Sequence, residues 1–269
     1  MIIMPFHLQE RKDLCKEVCH IAREAGQFMA GEILKVTDGQ VQEKDPNSLV
    51  SYVDIETEKM LVAKLNSLLP EAGFITEEGT TATGEKELNW IIDPLDGTTN
   101  YLFRLPLYCV SIALARGNEL LLGVIYEPNS DECFYSWKGG GSWLNDHKIE
   151  VNQQNTLSTS LIATGFPYQT TEVTDKLYDV LKFVVSNTRG VRRLGSAAID
   201  LAYVACGRFD TFYEATLNQW DIAAGVLIVK EAGGVVTDFQ GGDQYMQTGE
   251  VIAGSPLIQL HFLNIIKEL

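Results

Sequence analysis

Apolar residues recur every three or four positions across residues 8–35, at Leu14, Val18, Ile21, Ala25 and Phe28, a spacing that predicts an amphipathic helix. A polar stretch over 44–48, containing Pro46, reads as a loop. A second helix carries Leu61, Leu65 and Leu68 on one face and is expected to stop at Pro70. Strand-like runs follow over 73–76, 89–93, 109–116 and 120–126. Gly117-Asn118 between the last two has the composition of a hairpin turn. Residues 133–137 predict a further strand ahead of the glycines at 139–141. In the second part of the chain, strands are expected over 161–164, 209–213, 235–238 and 251–253. Helices are expected over 174–186, 196–205 and 221–232, with a last one at the C-terminus. Gly233-Gly234 supplies the C-terminal cap of the third of these. Hairpins mixed with helix–strand alternation point to a mixed α and β class rather than a simple doubly wound sheet. The pattern divides into two halves, 1–150 and 151–269.

Composition narrows the function classes. The chain has 269 residues, 45% of them hydrophobic, enough for a substantial core. Its 36 acidic residues outnumber 21 basic ones, for a net charge of −15. Such a surface repels nucleic acid, and any anionic substrate needs a cation to approach it. The five cysteines (Cys15, Cys19, Cys109, Cys133 and Cys206) are widely spaced and unpaired in pattern, so they read as buried free thiols suited to a reducing cytosol. The N-terminus lacks the pattern of a signal peptide, and no apolar run approaches 18 residues. A cytoplasmic protein without a transmembrane segment is expected.

The chemistry concentrates in carboxylates. In the segment from Trp90 to Tyr101 an apolar strand leads into Asp93 and Asp96, with Pro94 between them. Proline fixes its own φ and turns the chain, so both carboxylates and the Leu95 carbonyl can face one point. Oxygen ligands of this kind suit Mg²⁺. Gly97 and Thr98 then open what reads as a helix, whose N–H groups can cradle a phosphate. An ordinary strand-to-loop turn fits the same residues, because Asp-Pro and Asp-Gly are common turn pairs. Glu77-Glu78 taken alone is a solvated turn. Ser51 and Asp54 fit a capping box, and Asp221 sits where a helix N-cap aspartate is expected. Singly, each acid has a structural explanation.

Together they resemble the inositol monophosphatase family, within the magnesium-dependent, lithium-sensitive phosphatases. The blocks are Leu49-Val-Ser-x-x-Asp54, Ile75-Thr-Glu-Glu-Gly79, Trp90 to Tyr101, and Trp220-Asp-Ile-Ala-Ala-Gly225 running on to Glu231-Ala-Gly-Gly234. Gly195-Ser-Ala-Ala198 and Phe212-Tyr-Glu214 resemble its substrate-facing segments. The resemblance implies a layered α/β/α/β/α sandwich, an antiparallel N-terminal sheet with a mixed C-terminal one, and a metal site between the two halves. It implies that Glu77, Asp93 and the Leu95 carbonyl bind one Mg²⁺, and that Asp93, Asp96 and Asp221 bind a second. Glu77 would also serve a third. Asp54 and Thr98 would form the pair that takes a proton from the attacking water. The Gly97 and Thr98 N–H groups would hold phosphate oxygens. Glu214, Asp96, Asp221 and the backbone near Ala197 would contact the substrate. Lys44 would add a positive charge near the phosphate. The four histidines, His7, His20, His147 and His261, fall outside every block and read as structural or surface residues.

Expected by the same resemblance are inositol monophosphate as substrate, lithium sensitivity and a homodimer. Phe103 followed by Arg104, Ser51, and Leu217-Asn-Gln depart from the usual pattern and leave the leaving group open. Other substrates of the same chemistry are 3′-phosphoadenosine 5′-phosphate, fructose 1,6-bisphosphate, NADP, histidinol phosphate and a phosphoinositol lipid headgroup. A regulatory, partner-binding role is the other class. Arg189, Arg192 and Arg193 form the notable basic cluster, read as solvated or contact surface.

Overall fold

The computed structural model describes residues 8–37, 39, 41–45, 48–81, 86–153, 155–167 and 172–268. The chain opens with helix α1 (Leu8–Glu32), strands β1 (Val41–Asp45) and β2 (Ser48–Ser51), and helix α2 (Tyr52–Leu68). There follow β3 (Gly73–Thr76), β4 (Leu88–Asp96), the single-turn α3 (Thr98–Leu102), β5 (Cys109–Arg116), β6 (Glu119–Glu127), β7 (Glu132–Trp137), β8 (Ser142–Leu144) and β9 (His147–Ile149). The rest of the chain is β10 (Leu161–Thr164), α4 (Glu172–Asn187), β11 (Gly190–Arg192), α5 (Ala197–Ala205), β12 (Thr211–Glu214), α6 (Gln219–Glu231), β13 (Val235–Thr237), α7 (Tyr245–Thr248), β14 (Val251–Gly254) and α8 (Pro256–Glu268).

Strands β3 to β9 form one sheet in sequence order, and a second sheet runs β11-β10-β12-β14-β13. Burial along single strands shows how the layers stack. On β5, Val110, Ile112 and Leu114 join one core with Val18 and Ala22 of α1 and Leu61 and Leu65 of α2, while Cys109, Ala113 and Ala115 join another with α5 and α6. Alternate residues of a strand point to opposite faces, so this sheet is covered on both sides. The second sheet behaves the same way. Ala163, Phe212 and Ala253 face α5 and α6, whereas Ile162, Tyr213 and Ile252 face α4 and α8 through Val180, Val184 and Phe262. The order of layers is therefore α1/α2, first sheet, α5/α6, second sheet, α4/α8, which is an α/β/α/β/α sandwich. The central helices pack tightly on the first sheet: a Cβ at Gly123 of β6 would lie 2.8 Å from the Ala224 carbonyl oxygen of α6. That contact fixes α6, and with it Asp221.

Several expectations need correction. The helix over 8–35 ends at Glu32. The loop expected over 44–48 is largely hairpin, with β1 antiparallel to β2 and residues 46–47 outside the described residues. The short strands β8, β9 and β11 were not foreseen, since three residues are too few for a periodicity. The first sheet is antiparallel except for its β3·β4 pair, which is parallel. Helix α6 starts before Asp221: Asn218 is its N-cap, and Asp221 is the third helical residue. Among the described residues, no helix is long and apolar enough to cross a membrane.

Candidate active site

The strand predicted to stop at Asp93 continues through Pro94 to Asp96. Asp93 pairs with Ser111 and Asp96 with Cys109, so three steps along β4 match two along β5, and the ladder shifts register between them. This is a β-bulge, a place where a sheet tolerates proline because a ladder N–H is not required. Ser111 and Cys109 lie on one face, so their partners Asp93 and Asp96 do too. That face packs on the second half of the chain. Ser111 donates to the Trp220 carbonyl at the start of α6 (3.2 Å), and Cys109 Sγ lies 3.6 Å from Ser196 Oγ at the start of α5. The bulge thus aims two acids at the N-terminal ends of two helices.

Neighbouring elements bring the other predicted residues in. Thr76 of β3 pairs with Ile92, and the Glu77 N–H extends that ladder to the Ile92 carbonyl (3.3 Å). Glu77 therefore falls beside Asp93, and the two side chains share a hydrogen bond. The Leu95 N–H donates to Asp93 Oδ1 at 2.9 Å. Gly97 turns the chain at φ +95, where an added Cβ would lie 2.9 Å from the Leu107 carbonyl oxygen; only glycine fits without strain. Thr98 Oγ1 is 3.0 Å from both Asp54 Oδ1 and the Leu95 carbonyl oxygen. Asp54, 1% exposed, is the capping-box acid of α2, and its Oδ2 accepts from the Ser51 N–H and hydroxyl at 2.9 and 2.7 Å. The capping explanation and the link to Thr98 hold together: one oxygen caps the helix and the other meets Thr98.

Asp96 Oδ2 accepts from the Ser196 hydroxyl and the Ala198 N–H, both at 2.7 Å. Ser196 also caps α5 by accepting from the Ile199 N–H (3.2 Å). Ala197 thus begins a helix whose first turn is clamped to Asp96. Asp221 Oδ2 accepts from the Asn218 N–H at 2.6 Å, which orients it at the start of α6. Glu214, at the end of β12, lies so close over Gly165 that a Cβ there would meet its Oε1 at 2.0 Å.

The electrostatics follow from crowding. Burial and the charges of Glu77, Asp96 and Asp221 push the Asp93 carboxyl well above the usual range. Burial, followed by the charge of Asp96, does the same at Asp221. Burial raises Asp96 to about 6, against the Ser196 and Ala198 hydrogen bonds that lower it. Glu214 is raised to about 8 by burial and by Asp96, with Arg193 opposing. Asp54 is raised by burial against its three hydrogen bonds. Among the described residues, no three of these groups already converge in an ion cage. Like charges this close hold one another apart or protonated, and a divalent cation reverses both tendencies. Glu77, Asp93, Asp96, Asp221 and the Leu95 carbonyl offer only oxygen, the donor set of a hard cation, and so fit Mg²⁺.

Other predicted residues fall elsewhere. The Lys44 side chain and His7 lie outside the described residues. His20, His147 and His261 are exposed, as are Arg189, Arg192 and Arg193. Four cysteines are buried and Cys206 is half-buried, all free. The sequence reading missed Asn100, whose Nδ2 donates to the carbonyls of Leu107 and Leu194, both at 2.7 Å, and stitches the two halves beside Gly97. It also missed Asp200, 1% exposed, whose Oδ1 has no hydrogen-bond partner among the described residues and whose charge acts with that of Glu214. Asn100 falls inside the Trp90 to Tyr101 block, but its role, like that of Asp200, is set by tertiary contacts that local sequence does not display.

A sequence profile described as the inositol monophosphatase family matches residues 10–268. The chain belongs to the inositol monophosphatase family. It is 40% identical over 259 residues to an inositol-1-monophosphatase of Mesorhizobium japonicum, covering 96% of this chain and 97% of that protein. It is 37% identical to the Nus factor SuhB of Pasteurella multocida, covering 91% and 92%. Among solved structures it superposes on the extragenic suppressor protein suhB of Bartonella henselae with a TM-score of 0.88, at 37% identity and covering 94% and 98%. Family membership supports a phosphatase, a hydrolase of a class that generally depends on metal.

Proposed function

We propose that this chain hydrolyses inositol monophosphate to inositol and phosphate, with Mg²⁺ held at two or three positions between its two halves. The observation that carries the reading is the bulge that sets Asp93 and Asp96 on one face, against Asp221 and beside Glu77. Glu77, Asp93 and the Leu95 carbonyl would hold one ion, Asp93, Asp96 and Asp221 a second, and Glu77 a third. Bound there, Mg²⁺ would neutralise the acids and the phosphate, acidify the attacking water and offset charge on the leaving oxygen. Thr98 gives its hydroxyl proton to Asp54 and takes one from the water. Burial favours that transfer by raising the basicity of Asp54. The Gly97 and Thr98 N–H groups hold phosphate oxygens. Glu214, Asp96, Asp221 and the Ala197 backbone meet the hydroxyls of the leaving group. We further expect lithium inhibition, a homodimer and a cytoplasmic location.

The test is Mg²⁺-dependent phosphate release from a panel of inositol 1-phosphate, fructose 1,6-bisphosphate, 3′-phosphoadenosine 5′-phosphate and NADP, with Asp93→Asn as control. Inositol 1-phosphate should lead in kcat/KM by about tenfold, roughly 1.4 kcal/mol in transition-state binding. A different leader removes the inositol assignment and keeps the metal chemistry. A second reading, a regulatory role through a protein partner, is favoured by relatives named Nus factor. Partner binding that survives Asp93→Asn would support it.

A further inference from the structure

Helix α2 carries a second buried acid that the proposed chemistry does not use. Glu58 is 0% exposed and lies one turn beyond Asp54, on the same side of the helix. Its Oε1 accepts from the Thr76 hydroxyl (3.0 Å), the Thr80 N–H (2.7 Å) and the Thr80 hydroxyl (2.7 Å). Its Oε2 accepts from the Glu78 N–H at 2.7 Å. The four donors flank Glu77: Thr76 precedes it, and Glu78 and Thr80 follow. The chain between them turns through Gly79 at φ +63. With both oxygens engaged by protein donors, Glu58 is an anchor rather than an ion ligand. A buried carboxylate is costly unless hydrogen-bonded, and here every bond goes to the segment that carries Glu77.

We propose that Glu58 is a positioning residue for the metal site: it fixes the turn after β3 so that the Glu77 carboxylate stands beside Asp93. Helix α2 then serves both parts of the chemistry, with Asp54 meeting Thr98 at its first turn and Glu58 setting Glu77 one turn later. The inference rests on the reading of Glu77 as a metal ligand.

Glu58→Gln in the full chain tests it. An amide matches the shape but presents a donor where one oxygen was. Whichever way it is flipped, it opposes either the Glu78 N–H or the Thr80 N–H. The expected result is a rise of about 10- to 100-fold in the Mg²⁺ concentration for half-maximal rate, the range typical when a ligand's support is lost. The rate at saturating Mg²⁺ should stay close to that of the parent. Mg²⁺ binding by calorimetry, without substrate, should weaken in parallel. Thr80→Val, at a half-buried position, removes one hydroxyl from the anchor and should shift half-saturation in the same direction by less, while Thr80→Ser restores it. If Glu58→Gln binds Mg²⁺ as the parent does, the inference is wrong, even where the melting temperature drops. Should Glu58→Gln fail to fold, an unshifted Thr80→Val overturns the inference equally. Glu77→Gln measured alongside separates the two layers of argument. A shift in Glu77→Gln without one in Glu58→Gln sinks the positioning role alone, and no shift in either removes Glu77 as a ligand and the inference with it.

Discussion

On the side formed by β4, α2 and the start of α3, the acids are held by short bonds from nearby backbone and hydroxyl groups: Asp54 by Ser51 and Thr98, Asp93 by the Leu95 N–H, Asp96 by Ser196 and the Ala198 N–H. On the side formed by β12 and the body of α5, Glu214 and Asp200 sit among like charge, with Arg193 as their basic neighbour. The first side is pre-organised before any ligand arrives. The second is governed by burial and like charge, and Asp200 Oδ1 there is buried without a hydrogen-bond partner among the described residues. A phosphate is the same in every substrate of such an enzyme and rewards a rigid frame.

Breaking the first side should cost most. Asp93→Asn should bring Mg²⁺-dependent phosphate release down to the level of a metal-free control, with the fold retained by circular dichroism. Thr98→Val removes the proton path to Asp54 and should lower kcat by about 10²- to 10⁴-fold with KM little changed, as steady-state kinetics would report. The second side should respond to substrate identity instead. Glu214→Gln should lower kcat/KM for a polyol phosphate by about 2- to 10-fold, the loss of one hydrogen bond to a hydroxyl. It should barely affect an aryl phosphate that carries no hydroxyls. Equal losses on both substrates would erase the distinction between the two sides.

The smallest effect is in stability. Asp96 and Glu214 have folded-state values raised to about 6 and about 8, so the folded state binds more protons than the unfolded chain. Their contribution is fully present below the ordinary carboxylate range and is lost as pH rises through about 6 and then about 8. In EDTA the melting temperature should therefore drop by a few degrees between pH 5 and pH 9, a modest change because both groups are half-buried and keep some contact with solvent. Saturating Mg²⁺ should reduce that drop.

The same contrast explains how much was legible in the sequence. The rigid side lies in contiguous blocks: Asp93 to Thr98 is one short run of chain at the end of β4, and Ser51 with Asp54 is a local capping box. Local geometry of that kind leaves a pattern in the letters. Periodicity yielded the helices and strands, and the layer order followed from the family resemblance. What escaped notice depends on distant contacts. The extension of β4 past Pro94 needs β5 as partner. The bond from Ser196 to Asp96 spans 100 positions, and that from Asn100 to Leu194 spans 94. In the sequence Glu58 is one more charge on an amphipathic helix, because its four donors lie 18 to 22 residues away.

The extra residue in β4 has a consequence for how the site can be lost. Side-chain direction along a strand follows an odd–even count, and Asp93 and Asp96 differ by an odd number. They share a face only because one inserted position changes the parity. Shortening the chain by one residue between them would leave every acid in the sequence and restore an uninterrupted ladder with β5. Asp96 would stay opposite Cys109 on the Asp93 face, but the extra residue that sets the Leu95 carbonyl 3.0 Å from Thr98 Oγ1 would be gone. The information that makes the site is therefore carried partly by an integer, the spacing between two aspartates, which a frame-preserving deletion changes while sparing every acid.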